Sequence, residues 1–558
     1  MKGAIMSFTR IWHKNYPAGV PPEIQFEKIT MPEVLTRTAR RFPNHTALIF
    51  MGTEITYQEL ESLVNRFAKA LLSVGVKKGD KVAMVLPNIP QIVIADFAAF
   101  RIGAVTVMNN PLYTETELSY QLNDSNSTFL VTLDVMFPVA KKLQERTQAK
   151  TVILCSVSDY LPPPLKPAFP PADVPPQEGM YRFMDLLDAQ EDTPVRNVAT
   201  LNDLGALIYT GGTTGVSKAA MLSHANISFN TQQFRMWFSA GKDGEERMLA
   251  IYPFFHAAGW TGMHNTCVYA AWVDILVPRP EPGQILDLID KFKPTLLPGV
   301  STIFVALLNS EKFVNMDLSF VKAFITGAAP MAIDTIEKLK NVRNAPLINV
   351  YGLTEITPMG TATPWGGKEK PETVGIPLPN TDLRIVDLET GKNELKTGEI
   401  GEICFKGPQV MTGYYKRPEE TAIVMEDGWL KTGDVGFMDE DGYVTIVDRK
   451  KDVINASGFN VYPKEIDELL MMHPKIMEVC TIGVPDAYRG ETVKVFVVTR
   501  PGQTMTAEEV IDFCKEKLAG YKVPKLVEFI AALPKSVVGK ILRRELRDME
   551  AKKREGES

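Results

Sequence analysis

Cysteine is scarce. Cys155, Cys267, Cys404, Cys480 and Cys514 are the five in 558 residues, none in a Cys-x-x-Cys pair, and the six histidines form no His-Glu-x-x-His or similar ligand pair. Disulfide frameworks and zinc sites therefore fall outside the expected chemistry. Net charge is also small, −6, with no dominant block of one sign. Nothing here would draw in a nucleic acid, so a nucleotide handled by this chain is expected to be a small ligand. The N-terminus, with Arg10, His13 and Lys14 among polar and aromatic residues, lacks the apolar core of a secretory signal, and a cytoplasmic location is expected. One uncharged run, residues 248–273, is long enough to cross a bilayer, but it holds Pro253, His256, Gly259, Gly262, His264 and Asn265. Such polar and helix-breaking groups are costly in lipid, so the run is expected in the protein interior.

The rest of the composition is that of a globular protein: 45% hydrophobic and 23% charged residues over a length that implies at least two domains. Thr56 and Glu59 have the spacing of a capping box ahead of Leu60, Leu63, Val64, Phe67, Leu71 and Leu72, which predicts an amphipathic helix ending near Gly75. A turn at Lys78-Gly-Asp80 then leads into the apolar run 82–86, a buried strand. Helix and strand alternate onward, which predicts an α/β class with a largely parallel sheet. Eight prolines within residues 161–176 make that stretch a surface connection. From Thr381 the texture changes to short alternating segments with turn dipeptides, such as 383–387, 398–403 and 441–444, an antiparallel or barrel-like subdomain. The charged run Asp448-Arg-Lys-Lys-Asp452 follows, and then about a hundred residues mix helix and strand patterns in a small α+β domain.

The densest chemical signal is Tyr209-Thr-Gly-Gly-Thr-Thr-Gly-Val-Ser-Lys218 after the apolar run 204–208. A strand feeding a glycine-rich loop suits phosphate binding, because glycine lets backbone N–H groups approach the anion while Thr and Lys add donors and charge. It is not the common P-loop, since Val216 and Ser217 separate Gly215 from Lys218.

This segment resembles the signature loop of the adenylate-forming superfamily of acyl-CoA synthetases, luciferases and peptide-synthetase adenylation domains. Further motifs resembling that family follow in order: Gly327-Ala-Ala-Pro330, Tyr351-Gly-Leu-Thr-Glu355, Gly428-Trp-Leu-Lys-Thr-Gly-Asp434, Asp448-Arg-Lys-Lys-Asp452, Ser457-Gly-Phe-Asn-Val-Tyr-Pro463 and Pro534-Lys-Ser-Val-Val-Gly-Lys540. The wording is most like bacterial long-chain fatty acid CoA ligases. Gly211 and Ser217 depart from the commonest superfamily form, which bears on the rigidity of the loop.

The resemblance implies an N-terminal adenylating domain over 1–447, a hinge at 448–451 that includes Asp448 and Lys450, and a mobile C-terminal domain over 452–558. It implies that Thr210, Gly211, Gly212, Thr213, Thr214, Gly215 and Lys218 hold the phosphates of ATP. Gly327, Ala328, Ala329, Tyr351 and Gly352 border the nucleotide, with the Tyr351 ring on adenine, and Ile446, Asp434 and Arg449 complete the site, the last two on the ribose hydroxyls. Thr354 contacts the α-phosphate and Glu355 holds Mg²⁺, a role suited to a hard carboxylate ligand. His256, Trp260, Val300 and Gly327 line the acyl pocket, with His256 steering the substrate carboxylate and Trp260 acting as a gate. Gly259 is expected to leave room for the indole to swing. Lys540 stabilises charge in adenylation, after which a domain rotation presents Ser457, Gly458 and Phe459 as a tunnel for coenzyme A. Arg543, Arg544 and Arg547 are expected on an exposed helix.

The implied reaction joins a carboxylic acid, medium- or long-chain fatty in the nearest resemblance, to CoA with ATP and Mg²⁺. Adenylation for transfer to a carrier protein remains open, although no carrier domain is appended after Lys540, as does a CoA ligase for aromatic or alicyclic acids. A luciferase-like oxygenase or a regulator that kept the fold and lost turnover are the more distant alternatives. Peripheral membrane contact and a homodimer stay open.

Overall fold

The structure is a computed structural model that describes residues 10–210, 217–327, 331–456, 459–486, 489–535 and 541–557. The chain divides into two compact units, Met1–Asp382 with Phe405–Leu430, and Leu383–Cys404 with Lys431–Ser558.

The first unit is built on two mainly parallel sheets. In the seven-stranded sheet the order is Met180–Arg182, Thr151–Cys155, Phe129–Leu133, Lys81–Val85, Val105–Met108, Leu204–Thr210 and Lys218–Ser223, with only the last strand antiparallel to its neighbour. The nine-stranded sheet has a parallel centre of Leu347–Gly352, Ala323–Gly327, Leu296–Pro298, Arg247–Ala250, Val273–Leu276 and Thr46–Phe50, with antiparallel strands at both edges. Central strands such as Val105–Met108 are buried at every position, as expected for parallel strands covered on both faces.

Local rules account for the connections. Thr56 and Glu59 form the predicted capping box: the Glu59 N–H donates to Thr56 Oγ1 at 3.2 Å and the Thr56 N–H to Glu59 Oε2 at 2.7 Å, starting the helix Tyr57–Ser73. Gly75, at φ 96°, takes the left-handed turn that ends it. The next helix, Pro90–Arg101, is buried on every side. Residues 248–273 are interior, as expected: they pass from a strand through the short helix Ala257–Gly259 into a π-helical segment, Trp260–Asn265, and the helix Thr266–Ala270.

A five-stranded sheet contains Asp382–Val386, Gly401–Lys406, Trp429–Met438 and Met425–Glu426, with Val444–Arg449 also paired to Trp429–Met438. The expected barrel-like subdomain is thus an open sheet among the described residues. A further sheet in the second unit sets Ile476–Asp486 antiparallel to Gly490–Thr499, which in turn runs parallel to Leu526–Phe529. Side-chain alternation gives this sheet two apolar faces. Val479, Val493, Val495 and Val497 share a core with Ile466, Leu470 and Val510, while Cys480, Ile482, Val484, Phe496 and Val498 pack with Leu546. All five cysteines of the chain are buried.

Candidate active site

Thr210 and Lys218 face each other across the antiparallel pair that ends the seven-stranded sheet, and the Thr210 hydroxyl donates to the Lys218 carbonyl at 3.4 Å. The phosphate-loop residues Gly211, Gly212, Thr213, Thr214 and Gly215 lie outside the described residues, as do Ala328, Ala329, Ser457, Gly458 and Lys540.

Residues 412–415 run beside the same strand. The Met221 N–H donates to the Gly413 carbonyl at 2.9 Å, and the Tyr415 N–H to the Ala219 carbonyl at 2.9 Å. This pairing places Tyr414 between two residues predicted from sequence. Its hydroxyl donates to Glu355 Oε1 at 2.7 Å, and the Lys218 ammonium lies 5.3 Å from its ring centroid. Burial and then the Glu355 carboxylate push the Tyr414 phenol far above its ordinary range, so it stays protonated and remains the donor. Lys218 is in turn ion-paired with Glu420, whose second oxygen lies 3.5 Å from Arg417 Nε. Glu355 and Lys218 therefore belong to one chain of contacts through Tyr414, and neither Tyr414 nor Glu420 carried a recognisable signal in the sequence.

Glu355 sits in the short 3-10 turn Thr354–Ile356, just past the strand Leu347–Gly352, and Thr354 beside it is buried. The strand's C-terminal end is crowded. A Cβ on Gly352 would lie 1.7 Å from the Pro358 carbonyl oxygen, and one on Gly327 would lie 2.7 Å from that of Val350, so both positions require glycine. Tyr351 is buried with its ring 6.0 Å from that of Phe405. Beside these two strands is a small cleft of about 70 Å³ lined by Thr326, Asn349, Thr363, Lys340, Gly366 and Gly367, below the size range of small-molecule sites. The buried Thr326 hydroxyl there has no hydrogen-bond partner among the described residues. Val300 leads into the helix Ser301–Leu308, and Gly299 before it donates to the Ile325 carbonyl at 2.9 Å, which fixes Val300 near the strand Ala323–Gly327.

His256 is half-buried, and its Nδ1 accepts the Ala258 N–H at 3.2 Å, which puts the proton of a neutral imidazole on Nε2. Trp260 is 1% exposed; its Nε1 donates to Asp96 Oδ2 at 2.7 Å and its ring lies 5.9 Å from that of Phe100. The indole borders a narrow void, too tight for a water, lined also by Ile92, Met108 and Phe254, with Asp96 and His264 as polar edges. Burial pushes the Asp96 carboxyl up to about 6, opposed by the Trp260 hydrogen bond and the nearby His264. Gly259 also meets a requirement of the backbone: a Cβ there would lie 2.3 Å from the Pro253 carbonyl oxygen and 2.5 Å from that of Tyr252. Glycine is thus required there by the backbone of the preceding turn.

In the second unit Asp434 and Arg449 are opposed across antiparallel strands, with Arg449 Nε 2.9 Å from Asp434 Oδ1. Ile446 lies on the same strand as Arg449, and its carbonyl accepts from Lys464 Nζ at 2.6 Å. Lys450 pairs with Glu402 at 2.9 Å. Asp448 accepts the Lys464 N–H at 2.7 Å and lies 3.5 Å from Arg543. Arg543 also binds Asp467 at 2.5 Å, and Arg547 pairs with Asp452. Of the three arginines expected on an exposed helix, only Arg544 is largely exposed; the other two face these acids on the helix Arg543–Glu557. Phe459 is exposed and stacks on Tyr521, ring centroids 4.7 Å apart.

Among the described residues no group of three or more His, Cys, Asp or Glu side chains could hold a metal. A single carboxylate such as Glu355 does fit Mg²⁺, which is commonly bound by one or two carboxylates together with substrate phosphates.

Comparison with known proteins shows the family. The AMP-binding enzyme family matches residues 35–415, and the AMP-binding enzyme C-terminal domain matches residues 465–540. The chain is 41% identical to a long-chain-fatty-acid–CoA ligase of Bacillus subtilis (strain 168), over 98% of this chain and 99% of the relative. It is 39% identical to the ligase of the same name from Yersinia pestis, over 97% and 98%. Among solved structures, ATP-bound MatB from Rhodopseudomonas palustris superposes with a TM-score of 0.83 at 30% identity, over 93% of this chain and 99% of that one. The Bacillus subtilis o-succinylbenzoate CoA synthetase with ATP and magnesium gives 0.79 at 26% identity, over 92% and 99%. With the first family match covering well over half of its length and such relatives along nearly all of it, the chain belongs to the family of AMP-binding enzymes.

Proposed function

We propose that the protein is an AMP-forming acyl-CoA synthetase whose acid is a medium- or long-chain fatty acid. The observation that carries the reading is the linkage of Lys218, Tyr414 and Glu355 at the strand ends that follow the glycine-rich loop. It gathers a cation and a carboxylate where the triphosphate of ATP would lie, and the relatives named long-chain-fatty-acid–CoA ligase match along nearly the whole chain.

In the proposed first step the acid's carboxylate attacks the α-phosphorus of ATP, forming the acyl-adenylate and releasing pyrophosphate. Lys218 and Thr210 bind phosphate oxygens, and Thr354 contacts the α-phosphate. The Nε2–H of His256 orients the carboxylate, and Lys540 supplies positive charge where negative charge develops. Mg²⁺, when bound at Glu355, neutralises phosphate charge, and the Tyr414 hydroxyl keeps that carboxylate oriented. The adenine base enters beside Gly327, Ala328, Ala329 and Tyr351. The ribose hydroxyls meet Asp434 and Arg449, near Ile446. In the second step the CoA thiol attacks the acyl carbon and AMP leaves, the thiol passing Ser457, Gly458 and Phe459 after a rotation about 448–451. The proposed setting is the cytoplasm, where ATP and CoA are both available; among the described residues no helix is long and apolar enough to cross a membrane. A peripheral membrane contact and a homodimer are compatible with that setting.

The test is fatty-acid-dependent exchange of labelled pyrophosphate into ATP without CoA, followed by AMP formation on adding CoA. Both are expected. Exchange absent with every fatty acid, or acyl transfer only to a carrier protein, would overturn the proposal.

A further inference from the structure

The helix Pro90–Arg101, buried along its whole length, carries two ionisable residues, and they are treated differently. Arg101 binds the Glu61 carboxylate at 2.7 Å and the Asn65 amide oxygen at 2.5 Å. Asp96 is 1% exposed, has no Lys or Arg partner among the described residues, and spends one oxygen on the Trp260 indole at 2.7 Å. Its other oxygen, Oδ1, has no hydrogen-bond partner among the described residues. An acid buried without a cation is expensive. Among the described residues its close hydrogen bond is to the side chain that bounds the void, with the Thr106 hydroxyl beside it.

The void is small. It has no room for even one water, so the chain of a long fatty acid enters only if the indole moves. Trp260 opens the π-helical segment Trp260–Asn265, a rare form found frequently at functional sites.

We propose that Asp96 is the positioning residue that holds the Trp260 indole across the acyl passage, and that the strength of this hydrogen bond sets the enzyme's discrimination between short and long acids. The inference rests on the proposed acyl passage at 256–260. A short acid fits in front of the fixed indole, whereas a long one binds only when the Nε1–H leaves Asp96. The bond is thus a cost levied on long chains alone, and it appears in KM for the long acid while kcat, set at the adenylating end, is preserved.

The experiment measures CoA-dependent AMP formation with straight-chain acids from hexanoate to stearate, together with thermal unfolding, in the full-length enzyme. Asp96→Leu removes the acceptor at similar volume, Trp260→Phe removes the donor but keeps an aromatic ring, and Asp96→Asn keeps an acceptor oxygen. The two bond-breaking variants are expected to raise the ratio of kcat/KM for stearate over hexanoate by about tenfold, the scale of a hydrogen bond to a charged group. Each should act mainly by lowering KM for stearate. The double variant should shift the ratio no further than either single one, and Asp96→Asn should retain most of the native discrimination. A fall in melting temperature with an unchanged ratio would overturn the proposal, as would shifts that multiply in the double variant. If Asp96→Leu does not fold, Trp260→Phe against Asp96→Asn decides by the same ratio. Native enzyme that forms no AMP with any of these acids would reject the fatty-acid reading itself, an outcome distinct from an active enzyme with an unmoved ratio.

Discussion

If Lys218 turns to the phosphates of ATP, it must first leave Glu420. The pair joins the lysine after the glycine-rich loop to the helix Pro418–Val424, so the carboxylate competes with ATP for the same ammonium. Glu420→Gln keeps the shape and removes the charge. The two side chains are 22% and 35% exposed, so solvent screens them and the pair is worth about 0.2–1 kcal/mol, the range of surface ion pairs. At about 1.4 kcal/mol per decade this corresponds to about 1.4- to 5-fold in apparent ATP affinity. Arg417 stays beside Glu420, its Nε 3.5 Å from the other carboxylate oxygen, so the acid is not stranded when Lys218 departs. The assay is the initial rate of pyrophosphate exchange against ATP concentration at saturating acid. KM for ATP is expected to fall by that factor with kcat unchanged. A KM that rises would mean that Glu420 positions Lys218 for ATP, and one that does not move would mean that the pair survives binding; either result refutes the competition.

Lys540→Ala is expected to slow adenylation by at least about 10²-fold while thioester formation from supplied acyl-adenylate survives; equal loss in both half-reactions would count against the assignment. Tyr414→Phe deletes the donor to Glu355 Oε1 and should raise the Mg²⁺ concentration for half-maximal exchange by about 10- to 100-fold, whereas an unchanged Mg²⁺ titration would remove Glu355 from the metal site. Arg543→Leu leaves Asp467, whose carboxyl burial already pushes up to about 6, without its cation. The expected cost is about 3–5 kcal/mol of stability in thermal or denaturant unfolding, and a loss under about 1 kcal/mol would show the network to be solvated.

What could be read from sequence was local. Thr56 and Glu59 announce a helix because the box closes within one turn, and the alternation of buried strand and helix gives the parallel sheets because each element's period is written in its own residues. Partnerships across elements leave no such trace. Trp260 finds Asp96 164 residues upstream, and Tyr414 reaches Glu355 across 59; neither spacing follows a helical or strand period. The arginines of the last helix look like solvent-facing charge in a polar sequence, and only the fold shows that Asp452 and Asp467 wait for two of them. Gly259 shows the same limit. Its lack of a side chain was legible, but the carbonyls that demand it belong to the turn before.

The burial of the cysteines bears on the safety of the chemistry. An acyl-adenylate is a mixed anhydride that any accessible thiolate can intercept, and a thiol attacks only as its anion. Burial pushes Cys404 and Cys480 up to about 12 and Cys514 to about 11, and raises Cys155 and Cys267 well beyond the free value. At neutral pH the least shifted of them is ionised in roughly one molecule in ten thousand. A protein that makes a thiol-seeking electrophile thus keeps its own thiols out of reach and un-ionised, leaving the thiol of coenzyme A to accept the acyl group.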